Sequence, residues 1–290
     1  MKRRDSALGD ETAGGAGPRL VAVLAFAAAA ALAPVSAWAG PGAGGSASGA
    51  PVSAQFTLSA TDLQELVASL PATLRQKILA NASRFLDLAA QSLDEPPDLL
   101  VLVDKRHLLP PDSVPPDLVS LAGYPLSVSR GDLLLRKAIM PDVVALASAA
   151  RADGVTLLFS STYRSYDYQK LVHGREVSRY GREAADRESA PPGASQHQLG
   201  TAIDFGTITD AFAQTRAGRW LAARAWEYGL TLSYPEGYEA VTGYRWESWH
   251  YRYIGRPAAR LQKEFFGDVQ QYLLEFLRDH RAALDAARVR

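Results

Sequence analysis

An α+β fold is predicted for this chain on three observations. Apolar residues recur at helical spacing in several segments, Asp132–Arg151 and Tyr166–Tyr180 among them. Short runs bounded by turn residues, such as Val155–Phe159 and Thr201–Phe205, read as strands. The two kinds of segment do not follow one another as regular βαβ units, which argues α+β. The size fits: 290 residues suit one domain with extensions or two small ones, and 47% hydrophobic residues supply a sizeable core.

The elements justify themselves in order. Residues 1–39 read as a signal peptide: Lys2, Arg3 and Arg4 open it, Leu20–Ala33 is an apolar run, and Ala37-Trp38-Ala39 is a cleavage signal, so Gly40 is expected to begin the mature chain. Export to the periplasm or cell envelope is implied, with a retained signal anchor as the alternative. Residues 40–58, opening on Gly, Ala and Ser, are expected to be a flexible linker. Ser59–Ala90 reads as helical, with Leu63, Leu66, Val67 and Leu70 on one face and Pro71 as an interruption, giving an N-terminal helical region over 59–95. Leu99–Val103 reads as a buried strand, and Pro110–Pro116 as an extended connection. Residues 181–193, polar and closing on Pro191-Pro192, read as a loop. Ala217–Tyr228 reads as a helix stopped by Gly229, and Leu230–Tyr234 and Trp249–Ile254 as strands. Helices over Pro257–Phe266 and Val269–Ala286 are expected to finish the chain, so residues 96–256 form the central domain and 257–290 the C-terminal helices.

Composition excludes several classes. Lys plus Arg and Asp plus Glu both number 31, so no global field recruits nucleic acid or an acidic membrane. No cysteine is present, which removes disulfides, thiol nucleophiles and Cys-type zinc sites. No stretch after the leader is apolar and long enough to span a membrane. A serine hydrolase is disfavoured because no G-x-S-x-G elbow occurs.

A transition metal must then be held by His and carboxylate groups. His197 and Asp204 lie seven residues apart, and His250 follows later. Two neutral imidazoles and one carboxylate would leave a zinc ion net positive and one position open. Gly200 permits a turn between the first two. Such a pair also arises by chance, and a lone His is commonly structural. His107, His173 and His280 have no ligand-like partners and read as surface residues. Trp246 and Trp249, which flank the motif, are candidate pocket walls.

The combination resembles the VanY-type D-alanyl-D-alanine carboxypeptidases, whose pattern is S-x-H-x-x-G-x-A-x-D followed by E-x-x-H. Ser195, His197, Gly200, Ala202 and Asp204 fill the first half, and Glu247 to His250 the second. Ser161-Thr162-Tyr163-Arg164-Ser165, Gln169, Tyr234-Pro235-Glu236-Gly237, Thr242-Gly243 and Tyr251-Arg252-Tyr253 add to the likeness, which runs from about Leu99 to Arg256. Thr162 departs from it, standing where the family usually carries Gly. The resemblance implies the hedgehog/D-Ala-D-Ala peptidase fold: an antiparallel sheet with flanking helices, here with extra helices at both ends. It implies one zinc on His197, Asp204 and His250, with Glu247 as general base and then acid. It implies Arg164 at a substrate carboxylate or oxyanion, with Ser195 and Gln169 as further substrate contacts. The implied substrates are peptidoglycan stem peptides losing a terminal D-alanine. An L,D-carboxypeptidase on tetrapeptide stems and a non-catalytic, zinc-braced cell-wall binding module are the alternatives.

Overall fold

The computed structural model of the protein describes residues 49–289. The expected leader, residues 1–39, and the first part of the expected linker lie outside the described residues.

Three short helices come first: α1 (Ala60–Leu66), α2 (Ala72–Ala80) and α3 (Ala82–Leu93). Ser59 opens α1 with a capping box, its hydroxyl accepting from the Asp62 amide while the Asp62 carboxylate accepts from the Ser59 amide. Next come β1 (Leu118–Ser120), β2 (Ser127–Val128), β3 (Leu134–Arg136) and α4 (Met140–Ala152). The helix expected from Asp132 starts late because Leu134–Arg136 pairs antiparallel with β1. Pro141 then sits in the first turn of α4, where its missing amide costs nothing. The chain continues through β4 (Leu158–Ser161), α5 (Tyr166–Tyr180), α6 (Arg182–Glu188), β5 (Ala202–Phe205), α7 (Arg216–Arg224) and β6 (Leu230–Leu232). It closes with α8 (Glu239–Thr242), β7 (His250–Tyr253), α9 (Arg256–Phe265) and α10 (Gln270–Ala287).

Five strands form the main sheet in the order β2-β4-β5-β7-β6. Every pair is antiparallel except β2–β4 at one edge. All residues of β5 and β7 are buried. Two apolar cores hold the described residues together. One joins α4 to the sheet through Val143, Leu146, Phe159, Ile203, Phe205 and Tyr251. The other joins α1–α3 to α9 and α10, with Phe85 edge-on to Phe265 at 5.4 Å and to Phe276 at 5.7 Å. Each such side chain contributes roughly 1.5–3 kcal/mol by burial. The helices on either side of the central domain therefore share one core.

Four further expectations need correction. No strand forms over Leu99–Val103. Its Leu99 and Val101 carbonyls instead accept from the Arg252 guanidinium, at 3.0 and 2.8 Å. Arg252 is wholly buried, and that burial lowers its pKa to about 10, still far enough above neutral pH to leave it charged. The 181–193 loop contains α6, tied by Arg187 to Glu239. The linker does not run to residue 58, because Ser53, Phe56 and Leu58 are buried and Phe56 bridges to Arg288. His173 is not a surface residue. It is buried, with Nδ1 3.1 Å from the Ser189 carbonyl and Nε2 3.3 Å from Asp186, bracing α5 against α6.

Candidate active site

His197 lies in a 3-10 turn, Gln196–Leu199, that ends on Gly200 with φ 67°. Only glycine suits that position: a Cβ there would meet Leu118 Cδ2 at 2.9 Å and Arg136 Cγ at 3.0 Å. The turn reverses the chain into β5, where Ile203 and Phe205 face the α4 core and Asp204 faces the other way. The register sets Asp204 directly opposite His250 of β7. Glu247 precedes β7 on a turn, its amide donating to the Tyr234 carbonyl and its carbonyl accepting from the His250 amide.

Ligand atoms of His197, Asp204 and His250 all lie within 4.8 Å of one another, and all three residues are buried. Asp204 spans the two rings, with Oδ2 3.2 Å from His197 Nε2 and Oδ1 2.9 Å from His250 Nδ1. The His197 Nδ1 lies 2.6 Å from the Thr162 carbonyl, which can only accept, so Nδ1 carries the proton and Nε2 turns a lone pair inward. His250 repeats the pattern: Nε2 lies 3.1 Å from Gln196 Oε1, leaving Nδ1 toward Asp204. Burial, then the Arg164 charge, lowers the His197 pKa to about 4, so the ring is neutral at physiological pH. Two imidazole nitrogens and a carboxylate converge in a buried space, and His197 Nε2 has no hydrogen-bond partner among the described residues. A divalent cation satisfies that arrangement, and a two-His, one-carboxylate donor set with carbonyls behind the imidazoles suits zinc.

The cluster opens onto a cleft of about 410 Å³, with Arg164, Glu188, Arg245, Glu247 and Trp249 in its walls. Glu247 lies outside the three-ligand cluster, 3.8 Å from His250 Nδ1, and is 8% exposed. Burial raises its pKa well above the usual carboxylate range and the Asp204 charge adds to this, while Arg245 and Arg164 pull the other way. The Arg164 amide donates to the His197 carbonyl at 3.2 Å. Its guanidinium has no ion-pair partner among the described residues, and Nε is buried without a hydrogen bond. Arg245 differs, being already paired with Glu188 and Asp210.

Ser195 lies on the wall beside His197, and its hydroxyl caps nothing. Gln169 does not reach the cleft with the others: its amide donates to the Ala190 carbonyl at 2.6 Å and steadies the segment before Ser195. Of the two flanking tryptophans, Trp249 lines the cleft, with the Arg245 guanidinium 5.2 Å above its ring. Two neighbours have no role assigned from the sequence, although Tyr234 is part of the likeness. Tyr234 stacks on His250 with ring centroids 4.9 Å apart, and Gln196 stands behind the same ring. Both lie beside motif residues, but nothing local marks them as contacts of a residue in β7.

The sequence pattern of a family described as VanY, D-alanyl-D-alanine carboxypeptidase, matches residues 132–256. YodJ of Bacillus subtilis, provisionally named a carboxypeptidase, is 32% identical over 189 residues, covering 63% of this chain and 69% of that protein. A D-alanyl-D-alanine carboxypeptidase of Enterococcus faecium is 27% identical over 188 residues, covering 63% of this chain and 59% of that one. Among solved structures, the LD-carboxypeptidase LdcB aligns with TM-score 0.57 and 33% identity over 64% of this chain and 88% of its own. A mutant of the vancomycin resistance D,D-pentapeptidase VanY, in complex with Zn(II), aligns with TM-score 0.51 and 30% identity over 61% of this chain and 99% of its own.

Proposed function

We propose, from the premise that this chain belongs to the VanY family of D-alanyl-D-alanine carboxypeptidases, that it is a zinc carboxypeptidase releasing the terminal D-alanine of peptidoglycan stem peptides. The observation that carries the reading is the meeting of three elements at one cleft: a buried His-Asp-His cluster, a buried carboxylate outside it, and an arginine with no ion-pair partner among the described residues. His197, Asp204 and His250 would hold one zinc per chain. When bound, the ion supplies a Lewis acid that polarises the scissile carbonyl and makes water more acidic. Glu247 takes the proton of the attacking water and delivers it to the departing amine. Its raised affinity for a proton suits both halves of that transfer. Arg164 offers a two-pronged donor to the substrate's terminal carboxylate. Ser195 adds a hydroxyl to the same wall. Gln169 acts behind the wall, through Ala190.

A second reading, an L,D-carboxypeptidase acting on tetrapeptide stems, is supported by the likeness to LdcB. A zinc-braced binding module is disfavoured, because binding alone has no use for Glu247. The substrate class and the leader together support an envelope location. Residues 96–256 would be the catalytic portion, with the helices on either side bracing it.

Defined pentapeptide and tetrapeptide stems, with products weighed by mass spectrometry, test the reading. Glu247→Gln is expected to keep zinc and lose about a hundredfold or more in turnover. His250→Ala is expected to lose the metal itself. Unchanged hydrolysis by Glu247→Gln would overturn the assigned base. A zinc-loaded parent that binds stems and releases no fragment would return the protein to the binding-module class.

A further inference from the structure

The hydrogen bonds behind His250 lead out of the family-matched segment, and we infer that Gln270 is a positioning residue for the metal centre. Gln196 Oε1, 3.1 Å from His250 Nε2, also accepts from the Ser233 hydroxyl at 2.7 Å. The Gln196 amide nitrogen turns the other way, to Gln270 Oε1 at 3.4 Å. That same oxygen lies 3.4 Å from the Ser233 hydroxyl, and Gln270 Nε2 donates to Thr231 Oγ1 at 2.7 Å. None of these side chains meets solvent: Gln196 is 3% exposed, Gln270 1%, Thr231 5% and Ser233 2%.

A primary amide has an accepting end and a donating end. The end that meets His250 decides which imidazole nitrogen carries the proton. With the Gln196 carbonyl toward Nε2, the proton is favoured there, and Nδ1 would be free to offer its lone pair to a cation held by Asp204. A reversed amide would present its NH₂ to Nε2, move the proton to Nδ1, and set an N–H against any cation on Asp204. Gln270 opposes that reversal by accepting from the Gln196 NH₂, and Thr231 holds Gln270 in turn. Gln270 is the first residue of α10 and lies beyond residue 256, where the family match ends. The C-terminal helix therefore reaches the metal centre by two glutamines. The inference rests on the ligand set proposed above.

The test uses the full, zinc-loaded chain and competition with a chelator. Gln270→Leu is expected to hold zinc roughly 10–100-fold more weakly, as removal of a group behind a ligand does. Gln270→Glu keeps an acceptor toward Gln196 and is expected to lose less zinc affinity than Gln270→Leu. Thr231→Val, which keeps the shape and removes the hydroxyl holding Gln270, should weaken zinc in the same direction even if Gln270→Leu fails to fold. Thermal unfolding of the zinc-saturated variants separates positioning from general support. A lowered unfolding temperature with parental zinc affinity in both Gln270→Leu and Thr231→Val would overturn the inference, as would equal losses in Gln270→Leu and Gln270→Glu. His250→Ala runs alongside: if it retains zinc, the ligand set fails; if it loses zinc while Gln270→Leu does not, only the role of Gln270 fails.

Discussion

At the scale of single residues, Thr162 shows how a departure from a family pattern can be absorbed. It stands where glycine is usual, yet its side chain is fully buried and its hydroxyl accepts from the Leu134 amide at 3.1 Å. Its carbonyl fixes the His197 ring. The added side chain thus pins the segment that orients a ligand. Arg164, two residues on, carries a sharper expectation. A planar guanidinium can bond two carboxylate oxygens at once, whereas an ammonium is a point charge. Arg164→Lys should therefore keep zinc and the fold but lower kcat/KM on a stem peptide by about tenfold or more, the loss of one charge-assisted hydrogen bond of about 1.5–3 kcal/mol. Steady-state kinetics decide. Near-parental kcat/KM would reduce Arg164 to a general positive charge. The candidate ligand residues were legible in the sequence only through the resemblance, since the spacing of His197 and Asp204 arises by chance too and His250 lies 46 residues beyond Asp204. His173 was misread because its partners, Ser189 and Asp186, come together only when α6 folds back on α5.

At the scale of elements, the junction of α3 with α9 and α10 is the clearest target. Phe85 touches Phe265, Phe266 and Phe276 and is fully buried. Phe85→Ala leaves a cavity among three rings and should cost about 3–5 kcal/mol in a urea titration, with zinc binding retained in the folded fraction. The segment Asp104–His107 is a second target. Burial alone would raise the Asp104 pKa. Hydrogen bonds from the Arg106 amide, the Gln271 side chain, and the ring and amide of His107 outweigh it and hold the pKa below the usual value. A depressed folded-state pKa stabilises above the unfolded value, near 4, and that contribution disappears as pH falls through the folded value. Asp104→Ala should therefore lower stability at pH 7, with the gap to the parent narrowing below about pH 4. A gap that widens in acid would contradict the assignment. Element legibility followed locality too. Tyr166–Tyr180 was readable end to end, since Ser165 caps it and Gly181 stops it. Leu99–Val103 was not, because a buried coil and a buried strand share one apolar pattern, and Arg252 binds it from 153 residues away. Pro191-Pro192 coloured the reading of the whole 181–193 segment and hid the helix formers Glu183, Ala184 and Ala185.

At the scale of the molecule, the basic start, apolar run and Ala37-Trp38-Ala39 lead to the expectation of export and trimming. Protein recovered from the envelope fraction is expected to begin at Gly40 on N-terminal sequencing. Recovery of a chain that keeps Leu20–Ala33 would mean an anchor instead. The described ends also meet. Phe56 bridges to Arg288, the Thr57 amide donates to the Ala287 carbonyl at 2.8 Å, and the Val289 amide donates to the Gln55 carbonyl at 2.9 Å.

That meeting has a temporal meaning. Thr57 and Ala287 are 230 positions apart, so Phe56 can leave water fully only once the segment around Ala287 has been made. While the ribosome is still working, α1–α3 lack the apolar partners that α9 and α10 bring, and Gln196 lacks Gln270. Contacts of such long range assemble late. Until α10 has been made, the nascent polypeptide therefore lacks both this seam and the Gln270 contact to Gln196.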